Sequence, residues 1–160
     1  MAKVQPIPAG TPTVIPNLTI RRCAAAIDFY KRALGATELM RAPTPDGAGV
    51  WHAELKIGES ILYMNDEMPG MGPPAPSTEH PAPVNIWIWA TDCDAAYRRA
   101  VEAGATSRMA PADMFWGDRT AMVADPFGYA WTFATHVKDM TPEEMQRAGE
   151  AFAREQAKKR

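Results

Sequence analysis

His52 and Glu54 stand two residues apart in the run Trp51-His52-Ala53-Glu54-Leu55. Successive side chains on an extended strand alternate faces, so this spacing brings an imidazole and a carboxylate to one side. Such a pair can do general acid/base chemistry, can orient a bound ligand, or can simply brace a sheet through a hydrogen bond. Cys23 and Cys93 each open a helical pattern, where a helix N-terminus is able to lower a thiol pKa and raise its reactivity. Trp116-Gly117-Asp118-Arg119 offers an aromatic surface for stacking and a guanidinium for an acidic ligand or for Asp118. The alternative there is a core aromatic beside a surface ion pair. His80 falls in a proline-rich loop and reads as exposed, and His136 follows the last strand, where capping or interface duty is expected. There is no glycine-rich phosphate loop, no CxxC and no nucleophile elbow. Asp46-Gly47 reads as a hairpin turn.

These residues are positioned by elements that occur twice. Cys23-Ala24-Ala25-Ala26 returns as Cys93-Asp94-Ala95-Ala96, and Ile57-Gly58 with Ile61 and Tyr63 returns as Phe127-Gly128 with Trp131 and Phe133, both seventy positions on. Gly35-Ala36-Thr37 matches Gly104-Ala105-Thr106 at sixty-nine. Each half reads as a strand (about 14–20 and 84–90), a helix (about 23–34 and 93–103) closed by a glycine, and three further strands. Those strands are expected near 37–42, 49–57 and 60–65, and near 106–110, 116–124 and 129–135. Between the halves, 68–83 holds six of the fifteen prolines and reads as a loop. Thr141-Pro142-Glu143-Glu144 is a capping box. It opens a C-terminal helix that carries Met145, Ala148 and Phe152 on one side and ends in the basic tail Lys158-Lys159-Arg160.

Alternation along the strands separates two faces. Leu18, Ile20, Trp51, Ala53, Leu55, Ile61, Tyr63, Ile86, Ile88, Val123, Trp131 and Phe133 form an apolar set expected beneath the helices. The other set holds Ile15, Asn17, Thr19, His52, Glu54, Leu62, Met64, Asn85, Trp87, Trp89, Trp116, Asp118, Met122 and Thr132. Large aromatics mixed with amide and titratable groups are the composition of a small-molecule site. A dimer partner covering part of this face is the alternative.

Composition sets the outer bounds. The chain has 160 residues, 46% of them apolar and 22% charged, with a net charge of −2. That is ordinary globular usage and supplies no electrostatic reason for a nucleic-acid or membrane partner. No apolar run approaches a membrane span, the first eleven residues lack the apolar core of a signal peptide, and two cysteines make no disulfide framework. A cytoplasmic protein is expected.

With the paired βαβββ pattern established, the chain resembles the vicinal oxygen chelate superfamily, which includes glyoxalase I, the bleomycin-resistance proteins and the extradiol dioxygenases. His52-Ala53-Glu54-Leu55, the run from Pro111 to Arg119, Asp125-Pro126-Phe127-Gly128 and Ala134-Thr135-His136 resemble the PhnB-like branch. The likeness runs from about Val14 to Gln146. It implies an α+β fold: paired βαβββ modules forming a curved mixed sheet around a cleft, plus a C-terminal helix. Within a single domain over 1–160, module one covers about 12–66, a linker loop 67–83, module two about 84–137 and the helix 141–157. A homodimer is implied. Metal-dependent members carry ligands on the first and fourth strands of each module, and those positions carry over to Ile15, Leu62, Asn85 and Thr132. None is an imidazole or carboxylate, so no metal and no other cofactor is expected. The expected function is binding of a small aromatic or heterocyclic molecule in a metal-free cleft. Asn17, Met64, Asn85, Trp87, Trp89, Trp116, Asp118 and Thr132 would contact it, and His52 and Glu54 would orient it. The alternative is a lyase, isomerase or transferase that uses His52 and Glu54 as catalytic groups, with or without a non-standard divalent metal.

Overall fold

A computed structural model describes residues 4–158, apart from the side chain of Gln156. Lys159 and Arg160, the end of the expected basic tail, lie outside the described residues. The element order is β1 (Asn17–Ile20), α1 (Cys23–Leu34), β2 (Thr37–Pro43), β3 (Val50–Ile57), β4 (Ser60–Asp66), β5 (Asn85–Trp89), α2 (Cys93–Glu102), β6 (Thr106–Asp113), β7 (Asp118–Ala124), β8 (Ala130–His136) and α3 (Pro142–Lys158). This is the βαβββ unit twice over and a C-terminal helix, an α+β fold. Two compact units result. One carries β1–β4 with α1 up to Lys31, and the other carries Arg32–Leu34 and everything from Pro76 onward.

Each unit has one four-stranded mixed sheet, ordered β1-β4-β3-β2 and β5-β8-β7-β6. The first strand pairs parallel to the fourth and the other pairs are antiparallel. In the first unit Cys23, Ala26, Ile27 and Tyr30 recur at helical spacing and are fully buried. Leu18, Ile20, Ala53, Leu55, Leu62 and Met64 form the buried side of its sheet. Gly35 ends α1 at φ 68°, and the next N–H, from Ala36, donates to the Tyr30 carbonyl. In the second unit α2 packs on β6, β7 and β8, over Ala121, Val123, Trp131 and Phe133.

The two helix starts are secured from the C-terminal ends of the fourth strands. Asp66 accepts the Cys23 N–H at 2.8 Å, and Thr135 Oγ1 accepts the Cys93 N–H at 2.8 Å. α2 has a further cap, Asp92, which accepts from Ala95 N. The cap position of α1 is Arg22 at φ 60°, with no side-chain cap of its own. The capping box at α3 forms in both directions: Thr141 N donates to Glu144 Oε2 and Glu144 N to Thr141 Oγ1. Phe115 of the β6–β7 turn stacks against Phe152 of α3 with ring centroids 5.3 Å apart.

Pairing corrects one face of the expected arrangement. Leu55 lies opposite Leu62 and Ala53 opposite Met64, so Leu62 and Met64 are on the buried side. Ile61 and Tyr63 are on the other face, with His52 and Glu54. The reason is a slip in the repeat. First strands and helices correspond at an offset of seventy, but the second helix closes one residue earlier, as its Gly-Ala-Thr already shows. By their pairing with the first strands the fourth strands correspond at sixty-nine, so that Asp66 matches Thr135 and Tyr63 matches Thr132, while the third strands correspond at sixty-eight, Glu54 matching Met122. Because strand periodicity is two, that single residue inverts every β4 side chain. Trp51 departs for a different reason. The β2–β3 register skips from Ala42↔His52 to Pro43↔Val50, and this bulge leaves Trp51 45% exposed while Val50 is buried.

Candidate functional site

The open face of the first unit carries a polar row. Asn17 on β1 lies opposite Tyr63 on β4, and Tyr63 lies opposite Glu54 on β3. His52, two residues along β3, holds Glu54 through Nε2···Oε1 at 3.3 Å. A carboxylate only accepts, so the imidazole Nε2 is the donor. The Tyr63 ring meets His52 edge-on, with centroids 4.7 Å apart. His52 and Glu54 are both about one-third exposed, which keeps the pair in reach of a ligand. The sequence reading missed Tyr63. The signal for it is the sixty-nine offset at Gly35 and Gly104, which the fourth strands share.

The second unit presents a different face. Trp87 lies opposite Thr132, Trp89 opposite Ala134, and Met122 opposite Thr132. The two indoles are 42% and 62% exposed, with centroids 6.0 Å apart, over the buried Thr132, Ala134 and Thr120. Asn85 and Thr132 satisfy each other: Asn85 Nδ2 donates to Thr132 Oγ1 at 2.8 Å, and that hydroxyl donates back to Asn85 Oδ1 at 3.1 Å. Trp116 does not sit on a strand as expected. β7 begins at Asp118, so Trp116 lies in the β6–β7 turn, edge-on to Phe115 at 5.0 Å.

Asp118 is engaged within its own unit. Its Oδ1 lies 2.8 Å from His136 Nδ1, while His136 Nε2 lies 3.0 Å from Asp139 Oδ1. With an acceptor at each ring nitrogen, only the imidazolium donates to both. The Asp118 bond and then the Asp139 bond raise the His136 pKa above 6.5. A raised folded-state pKa means the stabilisation is complete below the unfolded value and is lost as pH rises through the folded one. An NMR titration of the His136 ring is therefore expected to place its midpoint above that of a histidine peptide. Asp118→Asn should lower the midpoint more than Asp139→Asn. A midpoint at or below the peptide value would contradict the bridge. Arg119 pairs with Asp94 (2.5 and 2.9 Å) and Asp113 (2.9 Å) rather than with Asp118, and it holds the Asp94 carboxyl below the usual carboxylate range.

The cysteines turn away from chemistry. Cys23 is fully buried, and burial, followed by the charge of Asp66, pushes its thiol up to about 12. Burial likewise raises Cys93. Both are free thiols. His80 is exposed, as expected. A separate cleft of about 780 Å³ lies by the start of α1 and the β2–β3 hairpin, lined by Arg21, Arg22, Arg41, Asp46, Asp66 and Glu67 among others. Its arginines are largely balanced, Arg21 by Glu67 at 2.7 Å and Arg41 by Glu38 at 2.8 Å, and it includes neither His52 nor Glu54.

The residues at the carried-over ligand positions do not fit a catalytic divalent metal. Ile15 and Leu62 have no donor atom, and Leu62 belongs to the buried side. Its true counterpart to Thr132, Tyr63, adds only a phenol. Asn85 and Thr132 are neutral oxygens already hydrogen-bonded to each other. Among the described residues no three His, Cys, Asp or Glu side chains group together as a metal site, and no helix is long and apolar enough to cross a membrane.

Residues 14–133 match the family model described as the Glyoxalase/Bleomycin resistance protein/Dioxygenase superfamily. The chain is 41% identical over 140 residues to the uncharacterized protein Mb0911c of Mycobacterium bovis, covering 86% of this chain and 91% of that one. Among solved structures it is similar to TioX from Micromonospora sp. ML1, with a TM-score of 0.63, 23% identity and coverage of 79% of this chain and 100% of the other. It is similar also to the AT5G48480 gene product of Arabidopsis thaliana, with a TM-score of 0.62, 27% identity and coverage of 78% and 98%.

Proposed function

Because the chain belongs to the glyoxalase/bleomycin resistance protein/dioxygenase superfamily, we propose that it binds a small aromatic or heterocyclic molecule without a metal. The observation that carries this reading is the indole pair Trp87 and Trp89, standing exposed side by side on one sheet face. Exposed neighbouring indoles cost solvation and supply a stacking surface worth about 0.5–1.5 kcal/mol per aromatic contact. Asn85 and Thr132, at positions where metal-dependent relatives place ligands, spend their polar atoms on each other. We place the chain in the PhnB-like branch on the run from Met114 to Arg119, and read it as a cytoplasmic homodimer without a nucleic-acid or membrane partner.

A library of aromatic and heterocyclic fragments, titrated against tryptophan fluorescence, tests the reading. Quenching that saturates, and that weakens about five-fold or more in Trp87→Ala or Trp89→Ala, is the expected result. Fragments that leave both fluorescence and melting temperature unchanged would overturn it.

The hydrogen bond between His52 and Glu54 favours a second reading, a lyase, isomerase or transferase that uses the pair for proton transfer. Under that reading His52→Gln and Glu54→Gln abolish turnover and leave affinity within the range of one hydrogen bond, about 0.5–1.5 kcal/mol.

A further inference from the structure

We propose that the row Asn17–Tyr63–Glu54 recognises a planar cationic nitrogen group, an amidinium, guanidinium or protonated amino-heterocycle, on the ligand. This rests on the reading of the chain as a binder of small aromatic or heterocyclic molecules, and it names the charge of the ligand that the first unit's face would take. The three residues occupy adjacent strands in direct register. Strand spacing of about 4.8 Å sets the row at about 10 Å from end to end, the length of one ring with a polar substituent. Every position offers an acceptor: the Asn17 amide oxygen, the Tyr63 phenol oxygen and the Glu54 carboxylate. Among the described residues neither the Asn17 side chain nor the Tyr63 hydroxyl makes a hydrogen bond within the protein. Both are therefore available to a ligand. His52 fixes one carboxylate oxygen at 3.3 Å and leaves the other open.

Charge argues in the same direction. Among the described residues of the first unit's four strands the one ammonium sharing this face, Lys56, is turned to Glu59 at 3.7 Å. No arginine of these four strands joins it among the described residues: Arg41 lies opposite Ala53, on the side that packs against α1. An anionic ligand would meet the Glu54 carboxylate, whereas a fork of N–H donors would find that carboxylate and the neighbouring Tyr63 oxygen as acceptors.

The experiment uses three matched probes, benzamidine, benzyl alcohol and benzoate, titrated calorimetrically into the full chain. Benzamidine is expected to bind at least ten-fold more tightly than benzoate. Glu54→Gln should reduce benzamidine binding at least ten-fold while changing benzyl alcohol less than two-fold. Tyr63→Phe, which removes a single oxygen and leaves the ring to pack, should cost benzamidine about three-fold or more and guards against a folding artefact. Equal binding of all three probes, or benzamidine binding indifferent to Glu54→Gln, would overturn the cation assignment and leave the aromatic reading standing. Failure of every probe to bind would overturn both.

Discussion

Asp125→Ala is expected to lower the melting temperature by about 12 °C, a loss of about 4 kcal/mol. Asp125 is 2% exposed, at the head of the Asp-Pro-Phe-Gly turn between β7 and β8. Its Oδ1 accepts from Phe127 N at 2.8 Å and Tyr129 N at 2.9 Å, and its Oδ2 accepts from the indole Nε1 of Trp131 at 2.9 Å. Alanine leaves three donors without their acceptor in a place water does not reach, and an unsatisfied buried donor costs about 1–3 kcal/mol. Trp131 is the largest fully buried side chain, so disturbing its indole also disturbs the core of the second unit. Asp125→Asn keeps one acceptor oxygen but turns an amide toward a donor, and should fall between the native chain and alanine. Urea and thermal melts decide the matter. A loss below about 1 kcal/mol for alanine would mean that the turn finds other acceptors.

Asp66→Ala is expected to cost about 3 kcal/mol. Its carboxylate does two separate things. Oδ1 accepts the first N–H of α1, from Cys23, where the positive end of the helix favours a negative charge. Oδ2 accepts Val50 N at 2.7 Å at the start of β3. One side chain thereby joins the end of β4 to the helix and to the strand that carries His52. The packing leaves little slack, since a Cβ built on Gly49 would stand 3.0 Å from Asp66 Oδ2. Asp66→Asn retains one acceptor and should recover about half of the loss. Chemical denaturation measures the stability. Amide hydrogen exchange in the first turn of α1 separates a lost cap from a general loosening: faster exchange confined to that turn is expected for Asn, and spread through the first unit for Ala.

Much of the architecture was legible without coordinates. The cysteine-led helices, the closing glycines, the proline-rich connection and the capping box at Thr141 are local signals, each set by residues within a turn of one another. Together with the alternation along the strands they placed the strands and helices of the described residues close to where they lie. The pairing of His52 with Glu54 was equally readable, because two positions on one strand always share a face. What escaped was parity across strands. An offset of seventy holds through the helix starts, but the loops beyond them differ in length, so that the third strands correspond at sixty-eight and the fourth at sixty-nine. A shift of one is invisible to composition yet exchanges Tyr63 for Leu62 and removes Met64 from the open face. The bulge at Trp51 and the late start of β7 at Trp116 are of the same kind, each decided by which backbone groups find partners on the neighbouring strand.

The sequence by itself therefore determined the repeat, the fold class and the residues able to do chemistry, since these depend on residue type and local periodicity. Only the tertiary structure decided which of them share a surface. Register is a property of two strands at once, and the row Asn17–Tyr63–Glu54 exists because three strands separated along the chain bring one residue each into line. The same is true of the thiols. A cysteine at a helix start reads as reactive, yet burial around Cys23 and the carboxylate of Asp66, forty-three residues away, drive its pKa upward to about 12.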